Sequence, residues 1–508
     1  MFSMKNNIRV NVIVNIIRTI VLTFLSFITF PWVCRYLGDA SLGLYTWINT
    51  FVAYFLILAK IGIPNLAVRE CVKVRDDKEK LSNKVQTFFI LQLISTVLSF
   101  VFMTTLVLSI PALKNSSALV FILAINFLAG AFSFEWVFIA LEKQFYMSVR
   151  SIVALTIAAV LIIAFIRTPS DYLIYALLTI SVTVITTAAN IYYVRRFISF
   201  KKTMPYNFKE LAKPLFILCC ATLLLSFYNQ TDTFILGFLD NSKREVASYS
   251  VGMKGVDVII GIITALSTVF IPRAAFYYSK EDKRFFNNLN KYSFNIAMFV
   301  ILPAIVTMCI FAYPITSLIS GTYDYSNPTN GYLNAPVVLM VLASIMLTYS
   351  FANIIYGQIL LPTKKEKYYL IAMGAGTLVN IVLSIVLGKY VFPNNMAIGV
   401  AIGTSLTDLG IIIFLIAVSW KWVKPALFNW NTLKLFAASV LIVLSSIPLQ
   451  YLVRFLCDKY GVSIQNTYII ELIGIVLVDA VIYIGLLRLM KENLVYSFVR
   501  RRRGEIIE

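Results

Sequence analysis

The feature that most limits the fold of this chain is an apolar run of about 20 residues, the length that a helix needs to cross a bilayer, repeated along the sequence. Of the 508 residues, 59% are hydrophobic and 13% are charged, against about 45–50% and 25% in soluble domains. The sequence therefore predicts an all-α polytopic membrane protein with about fourteen transmembrane helices. The runs lie at about 11–33, 41–62, 85–110, 118–141, 150–167, 172–194, 214–238, 248–271, 292–318, 334–361, 368–388, 396–420, 433–455 and 467–488.

The basic residues predict how these helices are oriented. The 44 lysines and arginines exceed the 24 acids by 20, which in a soluble protein would indicate a nucleic-acid partner. Here they lie in short gaps between runs, 34 on the side of the N-terminus and 8 on the other. Because basic loops remain in the cytoplasm, we expect a multi-pass protein of the plasma (inner) membrane with both termini cytoplasmic and no nucleic-acid partner.

The sequence lacks the residues that several kinds of chemistry require. There is no histidine, and the six cysteines form no CxxC pair, so zinc sites and histidine-dependent triads have no ligands or base. The sequence contains no G-x-x-x-x-G-K-[ST] motif for binding a nucleotide. We expect no metal, no cofactor, no nucleotide and no enzymatic activity, and transport that is secondary or driven by the gradient of the cargo.

Two stretches of the sequence resemble each other. One runs from Leu37-Gly38 to Gly62-Ile63-Pro64, and the other from Leu236-Gly237 to Ile271-Pro272-Arg273. Each contains a turn and then a helix that ends at a proline, so runs 1–2 correspond to runs 7–8. An offset of six helices predicts two parallel six-helix lobes, related by an axis along the membrane normal, with a cavity between them. The expected divisions are 1–200 (helices 1–6), 201–428 (helices 7–12), 429–490 (helices 13–14) and a basic cytoplasmic tail, 491–508.

Charged residues inside the apolar runs are candidates for function, because a charge there costs about 2.5–3.5 kcal/mol. Arg18, in the first run, could bind an anionic cargo or extend to the membrane surface. Lys254 and Asp257 lie three residues apart in the eighth run, so they could form an internal ion pair, or Lys254 could bind the phosphate of a cargo. These readings stay open.

Other polar residues are expected to face the interior or a watered cavity, since lipid cannot satisfy them. The candidates for cavity or gating residues are Glu135, Asn229, Gln230, Asp232 and Asp257. Asn380 and Asp408 are weaker candidates, expected to form hydrogen bonds between helices. The arginines expected at the membrane boundaries are Arg35, Arg69 and Arg273.

A series of short motifs occurs in a defined order along residues 8–420. They include Asn15-Ile-Ile-Arg18, Phe30-Pro31, Arg35-Tyr-Leu-Gly38, Gly43-Leu-Tyr45, Gly62-Ile-Pro64, Val68-Arg69-Glu70, Glu135-Trp136, Asp232-Thr233, Pro272-Arg273, Gly357 to Lys367 and Gly399 to Thr404. Their order and spacing resemble the polysaccharide transporter family, the Wzx-like flippases of O-antigen and capsule repeat units. That family belongs to the multidrug/oligosaccharidyl-lipid/polysaccharide exporter superfamily.

The resemblance implies a function. It implies that a polyprenyl-pyrophosphate-linked oligosaccharide is flipped from the inner to the outer leaflet, by alternating access, for O-antigen, capsule or exopolysaccharide synthesis. By the same similarity, Arg18 and Lys254 match cationic positions in a central cavity. The expected partners are the lipid-linked cargo, membrane lipids, and a polysaccharide polymerase with its glycosyltransferases.

Fourteen runs, instead of twelve, also resemble the flippases of peptidoglycan lipid II and of teichoic-acid precursors, which rank second. A drug/cation antiporter of the same superfamily ranks third, because it would rely on buried acids. From a different class, a polytopic glycosyltransferase would need acid/base carboxylates on a large outer loop. The expected outer loops here are short, which disfavours such an enzyme.

Overall fold

A computed structural model describes residues 8–201, 208–325, 327 and 331–494. Within these residues it has helices and no strand, so the predicted all-α fold is confirmed. The chain forms two compact units, Met1–Phe234 and Ile235–Glu508. The helices of the first unit are α1 (Ile8–Lys60), α2 (Ile63–Val72), α3 (Lys78–Ser109), α4 (Pro111–Lys114), α5 (Ser117–Ala131), α6 (Glu135–Ala140), α7 (Gln144–Phe165), α8 (Tyr172–Val194) and most of α9 (Lys209–Leu239), with a 3-10 turn at Pro169–Asp171.

The second unit continues the helical pattern and includes the last two apolar runs. Its helices are α10 (Arg244–Ser279), α11 (Lys283–Ile310), α12 (Ala312–Ser320), α13 (Ala335–Leu342), α14 (Ile345–Ile354), α15 (Glu366–Ile385), α16 (Met396–Val418), α17 (Trp420–Leu427), α18 (Trp430–Lys459), α19 (Ile464–Ile470) and α20 (Val476–Leu489). Turns of π-helix lie at Ile355–Leu360, Val386–Val391 and Glu471–Ile475. The boundary between the units falls inside α9, and the lobe division at 200–201 stays a prediction.

The number of membrane spans depends on how two interrupted helices are counted. Twelve helical stretches of the described residues are long and apolar enough to cross a membrane. A thirteenth is obtained when Pro214–Tyr228 and Gln230–Leu239, bent by 58°, count as one span. The first stretch, Val21–Val72, is interrupted at Gly38, and dividing it there gives the fourteen predicted runs. Fourteen is therefore an approximate count.

The turn predicted at Leu37-Gly38 is present and depends on glycine. Gly38 has φ +71° and ψ 175°, a region of conformational space that side chains with a Cβ hardly populate. A Cβ built at this position meets no atom within 4 Å, so the backbone conformation, and not the available space, requires glycine. The turn divides α1 into two arms. Tyr45, in the second arm, donates a hydrogen bond to Thr179 of α8 at 3.1 Å.

Hydroxyl side chains of α3 join it to the second arm of α1. Ser95 donates to the carbonyl oxygen of Ala59 at 2.5 Å, and Ser99 donates to that of Phe55 at 2.6 Å. The opposite side of α3 carries exposed apolar residues such as Val97 and Val101. Such hydrogen bonds hold helices together where lipid offers no hydrophobic driving force.

The last two apolar runs, which belong to the second unit, pack against each other through buried carboxylates. Glu471 is fully buried and accepts two hydrogen bonds from Arg454, from Nε at 2.7 Å and from Nη2 at 3.3 Å. Asp479 accepts hydrogen bonds from Ser445 and Ser446 at 3.1 and 2.6 Å. Both carboxylates connect α18 with the chain from Glu471 to Leu489, which therefore form one helical pair.

Candidate functional site

Arg18 lies in the first arm of α1, where it is partly buried. The apolar stretch that qualifies as a span begins at Val21, three residues after it. At this depth the guanidinium can extend to the membrane surface or bind an anion inside the unit. The two readings of Arg18 therefore stay open.

Lys254 and Asp257 share one face of α10. Gly252 and Gly255 pack against Val338 and Leu339 of α13, where an added Cβ would lie 3.0 Å or less from its neighbours. Because successive helical residues are rotated by about 100°, Lys254 and Asp257 lie on the opposite face. Asp257 is exposed there, Lys254 is partly buried, and the two side chains interact electrostatically. This face of the second unit thus presents one positive and one negative charge.

The polar residues Gln230 and Asp232 follow the 58° bend in α9. Gln230 is partly buried and begins the second arm of the bend, and Asp232 is buried. Tyr54 of α1 packs on both arms, with its ring centroid 4.8 Å from that of Phe227 and 5.2 Å from that of Phe234. The side chain of Asn229, also a candidate, lies outside the described residues.

Glu135 begins α6, directly after an interruption of the fourth apolar run. The run is continuous in sequence, but α5 ends at Ala131 and Phe134 has a left-handed backbone with φ +47°. Backbone groups freed in a membrane helix must be satisfied by neighbouring side chains. Carbonyl oxygens around the interruption accept hydrogen bonds from α3 and α8: Gln92 Nε2 to Gly130 at 3.0 Å, Thr187 Oγ1 to Ala129 at 3.0 Å, and Asn190 Nδ2 to Ser133.

Arg150 of α7 pairs with Glu135, and sequence reasoning missed it. Arg150 is the first residue of the predicted run 150–167, but α7 begins six residues earlier, at Gln144, and the Arg150 side chain is 6% exposed. Its Nη2 donates to Glu135 Oε1 at 2.6 Å, its Nη1 donates to Asn190, and its guanidinium lies 5.9 Å from the centroid of the Tyr146 ring. The signal that identified Arg18, a charge within an apolar sequence, applies here too. Glu135 is therefore the partner of a buried cation.

The three predicted boundary arginines are exposed. Arg35 lies three residues before Gly38, and Arg69, on α2, has Nε 3.4 Å from Glu70. Arg273 follows Pro272, but α10 continues past both to Ser279, so the helix boundary expected there is wrong. The proline is accommodated inside the helix.

Asn380 and Asp408 form the hydrogen bonds between helices that the sequence predicted. Asn380 of α15 donates to Thr404 of α16 at 3.1 Å. Asp408 of α16 accepts from Thr348 of α14 at 3.5 Å. These residues connect three helices of the second unit.

A further set of polar residues at the start of α10 was not predicted. Glu245 accepts from Asn334 at 2.7 Å and from the backbone N–H of Ala397 at 2.8 Å, which joins the first turns of α10, α13 and α16. Lys243 donates to the carbonyl oxygens of Gly237 and Asp240 at the end of α9, where a cation is favoured. Burial lowers the pKa of Lys243, although the nearby Asp240 opposes this effect. In sequence these residues look like an ordinary polar turn.

Two helical units with charged side chains on their apolar spans are typical of a multi-pass membrane transporter. Residues 8–277, more than half of the chain, match the model of the family described as "Polysaccharide biosynthesis protein", and the chain belongs to that family. Residues 218–386 also match the "MatE" model. The resemblance to polysaccharide transporters of this superfamily is thereby confirmed.

Known relatives agree with this assignment. The "Putative O-antigen transporter" of Escherichia coli (strain K12) is 20% identical over 368 residues, which are 70% of this chain and 84% of the relative. The structure titled "Lipid II flippase MurJ, inward closed conformation" has a TM-score of 0.67 at 16% identity and covers 94% of this chain and 99% of its own.

A structure described as the inward-facing conformation of a multidrug resistance MATE family transporter of the MOP superfamily has a TM-score of 0.62, also at 16% identity. It covers 79% of this chain and 96% of its own. At such identities the two structures establish the fold alone. The relatives are transporters and flippases.

Proposed function

We propose that this protein flips a polyprenyl-pyrophosphate-linked oligosaccharide from the inner to the outer leaflet of the plasma membrane, for surface polysaccharide synthesis. The charged face of α10 carries the proposal, because Lys254 lies there on a span of the second unit and away from α13. An ammonium in an apolar environment attracts phosphate oxygens strongly. Family membership and the O-antigen relative support a cargo of this kind.

The proposed mechanism is alternating access between two six-helix lobes, 1–200 and 201–428. Arg18 of the first and Lys254 of the second neutralise the pyrophosphate, Arg18 through its fork and Lys254 as a point charge. Both termini are cytoplasmic in this proposal, since the basic loops lie on that side. The cargo arrives from glycosyltransferases and leaves to a polymerase.

Reconstituted protein tests this proposal. A fluorescent polyprenyl-pyrophosphate glycan is placed in proteoliposomes, and its transfer between leaflets is measured by reduction with an impermeant reagent. Arg18→Ala and Lys254→Ala should each slow transfer about tenfold or more, because each removes a charge-assisted contact of about 1.5–3 kcal/mol. Arg18→Lys should retain part of the activity.

Lys389→Ala is the matched control for these variants. Lys389 is an exposed lysine at the end of a π-helical turn, so its loss changes the net charge equally without touching the proposed site. Transfer at the wild-type rate by Arg18→Ala and Lys254→Ala would contradict the assignment of both cations.

Flipping of lipid II or a teichoic-acid precursor is the second candidate. It is favoured by the fold likeness to the lipid II flippase, which extends over 94% of this chain and therefore includes at least part of the last two helices. The same assay distinguishes the candidates when it is run with lipid II and with the polyprenyl-pyrophosphate glycan. Faster transfer of lipid II would replace the first proposal with the second.

A further inference from the structure

The short helix α17 lies between two membrane spans and cannot be one itself. Its eight residues rise about 12 Å, whereas the hydrocarbon layer is about 30 Å thick. Val423 and Ala426 are its buried residues, and the helix packs against α11. The other side of α17 is therefore available to the surroundings of the second unit.

That side of α17 combines cations with large aromatic rings. Lys421 and Lys424 are exposed. Trp420, at the start of the helix, is 45% exposed, and Phe428 and Trp430, just beyond its end, are 70% and 76% exposed. Helices that lie in the plane of a membrane interface have this composition, with basic residues beside tryptophan and phenylalanine.

A second basic segment adjoins α17. It is the connection into α15, with Lys364, Lys365 and Lys367 in sequence order. The ammonium of Lys365 lies 5.2 Å from the centroid of the Trp422 ring, so the two segments contact each other through a cation–π interaction. Glu366 is the only acid in residues 361–370 and 419–430. Five lysines therefore face one carboxylate.

We propose that this basic aromatic surface (Lys364, Lys365, Lys367, Trp420, Lys421 and Lys424) binds the phosphate groups of anionic phospholipids. Lysine is a flexible point charge, which suits many equivalent phosphates at a lipid surface better than one fixed partner. The exposed rings place the same segment at the level of the headgroups. The surface lies in the second unit alone and shares no residue with the proposed cargo site.

The alternative is that these lysines only determine topology. Lysines that only determine topology would attract anionic lipids no more strongly than other exposed lysines of the chain do. A lipid-binding surface instead predicts selectivity for anionic headgroups, lost when lysines are removed. The two readings therefore differ in a measurable quantity.

The test uses the full chain in detergent micelles, titrated with phosphatidylglycerol or phosphatidylcholine, with bound lipids counted by native mass spectrometry. Wild-type protein should prefer phosphatidylglycerol. The double variant Lys421→Gln/Lys424→Gln should weaken that binding about 25-fold, or about fivefold for each lysine. The matched control is Lys389→Gln/Lys459→Gln, which removes the same number of positive charges. Lys389 and Lys459 lie at the opposite ends of the helical segments that begin at Glu366 and Trp430, next to the proposed surface.

Three results would overturn the proposal. The first is equal binding of the two lipids by the wild-type protein, which would also be found if the surface binds a protein partner instead. The second is an equal loss in the double variant and its control. The third needs no variant: if preference for phosphatidylglycerol persists unchanged in wild-type protein at 1 M salt, where charges are screened within about 3 Å, surface lysines do not cause it.

Discussion

The pair of Glu135 and Arg150 allows a prediction of unequal stability. Glu135→Ala removes the counter-charge of Arg150, whose side chain is only 6% exposed. Breaking a buried pair in this way costs about 3–5 kcal/mol, and we expect about 3 kcal/mol because the Glu135 side chain is 47% exposed. Arg150→Met leaves only that half-exposed carboxylate, and methionine retains the packing of the arginine stem. It should cost about 1.5 kcal/mol, the value of one charged hydrogen bond.

The free energy of unfolding of each variant is measured by SDS titration in mixed micelles. The double variant Glu135→Ala/Arg150→Met should be more stable than Glu135→Ala alone, since no charge is left buried. Arg75→Met is the control, because Arg75 pairs with Glu142 at a similar 2.7 Å but both side chains are 42% exposed. That variant should change stability by less than about 1 kcal/mol.

The reasoning fails on either of two results. One is a cost for Glu135→Ala no larger than that for Arg75→Met, which would mean that burial of Arg150 has no energetic effect. The other is a double variant that is as unstable as Glu135→Ala. In that case Glu135 would stabilise the start of α6 and not the cation.

Three shorter predictions follow. In intact cells, an impermeant thiol reagent should label Lys459→Cys but not Lys78→Cys on a cysteine-free background; the reverse pattern would invert the topology. Asp257→Asn should be tolerated if Lys254 binds phosphate. If the two residues only form an ion pair, Lys254→Ala should abolish transfer and the double variant should restore it. Transfer in proteoliposomes distinguishes these cases. Gly38→Ala should destabilise the protein by about 1–3 kcal/mol in SDS titration, because φ is +71° there.

Gly261→Ala is the control for the Gly38 variant. Gly261 lies in helical backbone with no atom within 4 Å of an added Cβ, so alanine should stabilise α10 by up to about 1 kcal/mol. Equal effects at both positions would show that the backbone conformation of Gly38 is not the cause.

The sequence predicted those parts of the fold that local chemistry determines. Apolar length located the spans, and the Leu37-Gly38 turn was readable because glycine is required at its positive φ. The interruption before Glu135 could not be predicted from the sequence, since Phe132-Ser133-Phe134 contains no glycine, proline, asparagine or aspartate to mark a turn. It is stabilised instead by Gln92, Thr187 and Asn190, which are distant in sequence.

The candidate site was predicted in part. Charges within apolar runs identified Arg18, Lys254 and Asp257, but the run pattern placed Arg150 at the first position of its run, six residues later than the start of the helix that contains it. Periodicity cannot locate such a residue, because its burial depends on Asn190 and Glu135 approaching from two other helices. The role of Glu245 was not predicted for the same reason, since one of its hydrogen-bond donors is the backbone N–H of Ala397 in α16.

The interruption between α5 and α6 has a consequence for biosynthesis. A continuous helix satisfies its own carbonyl groups, whereas the interrupted one depends on Thr187 and Asn190, which the ribosome adds more than 50 residues later. Until α8 enters the membrane, only Gln92 of the three side chains is already there. The nascent fourth span should therefore insert into the membrane as one straight helix. Its interruption should form only when the sixth run packs against it, so this part of the unit should reach its final structure after membrane insertion and not during it.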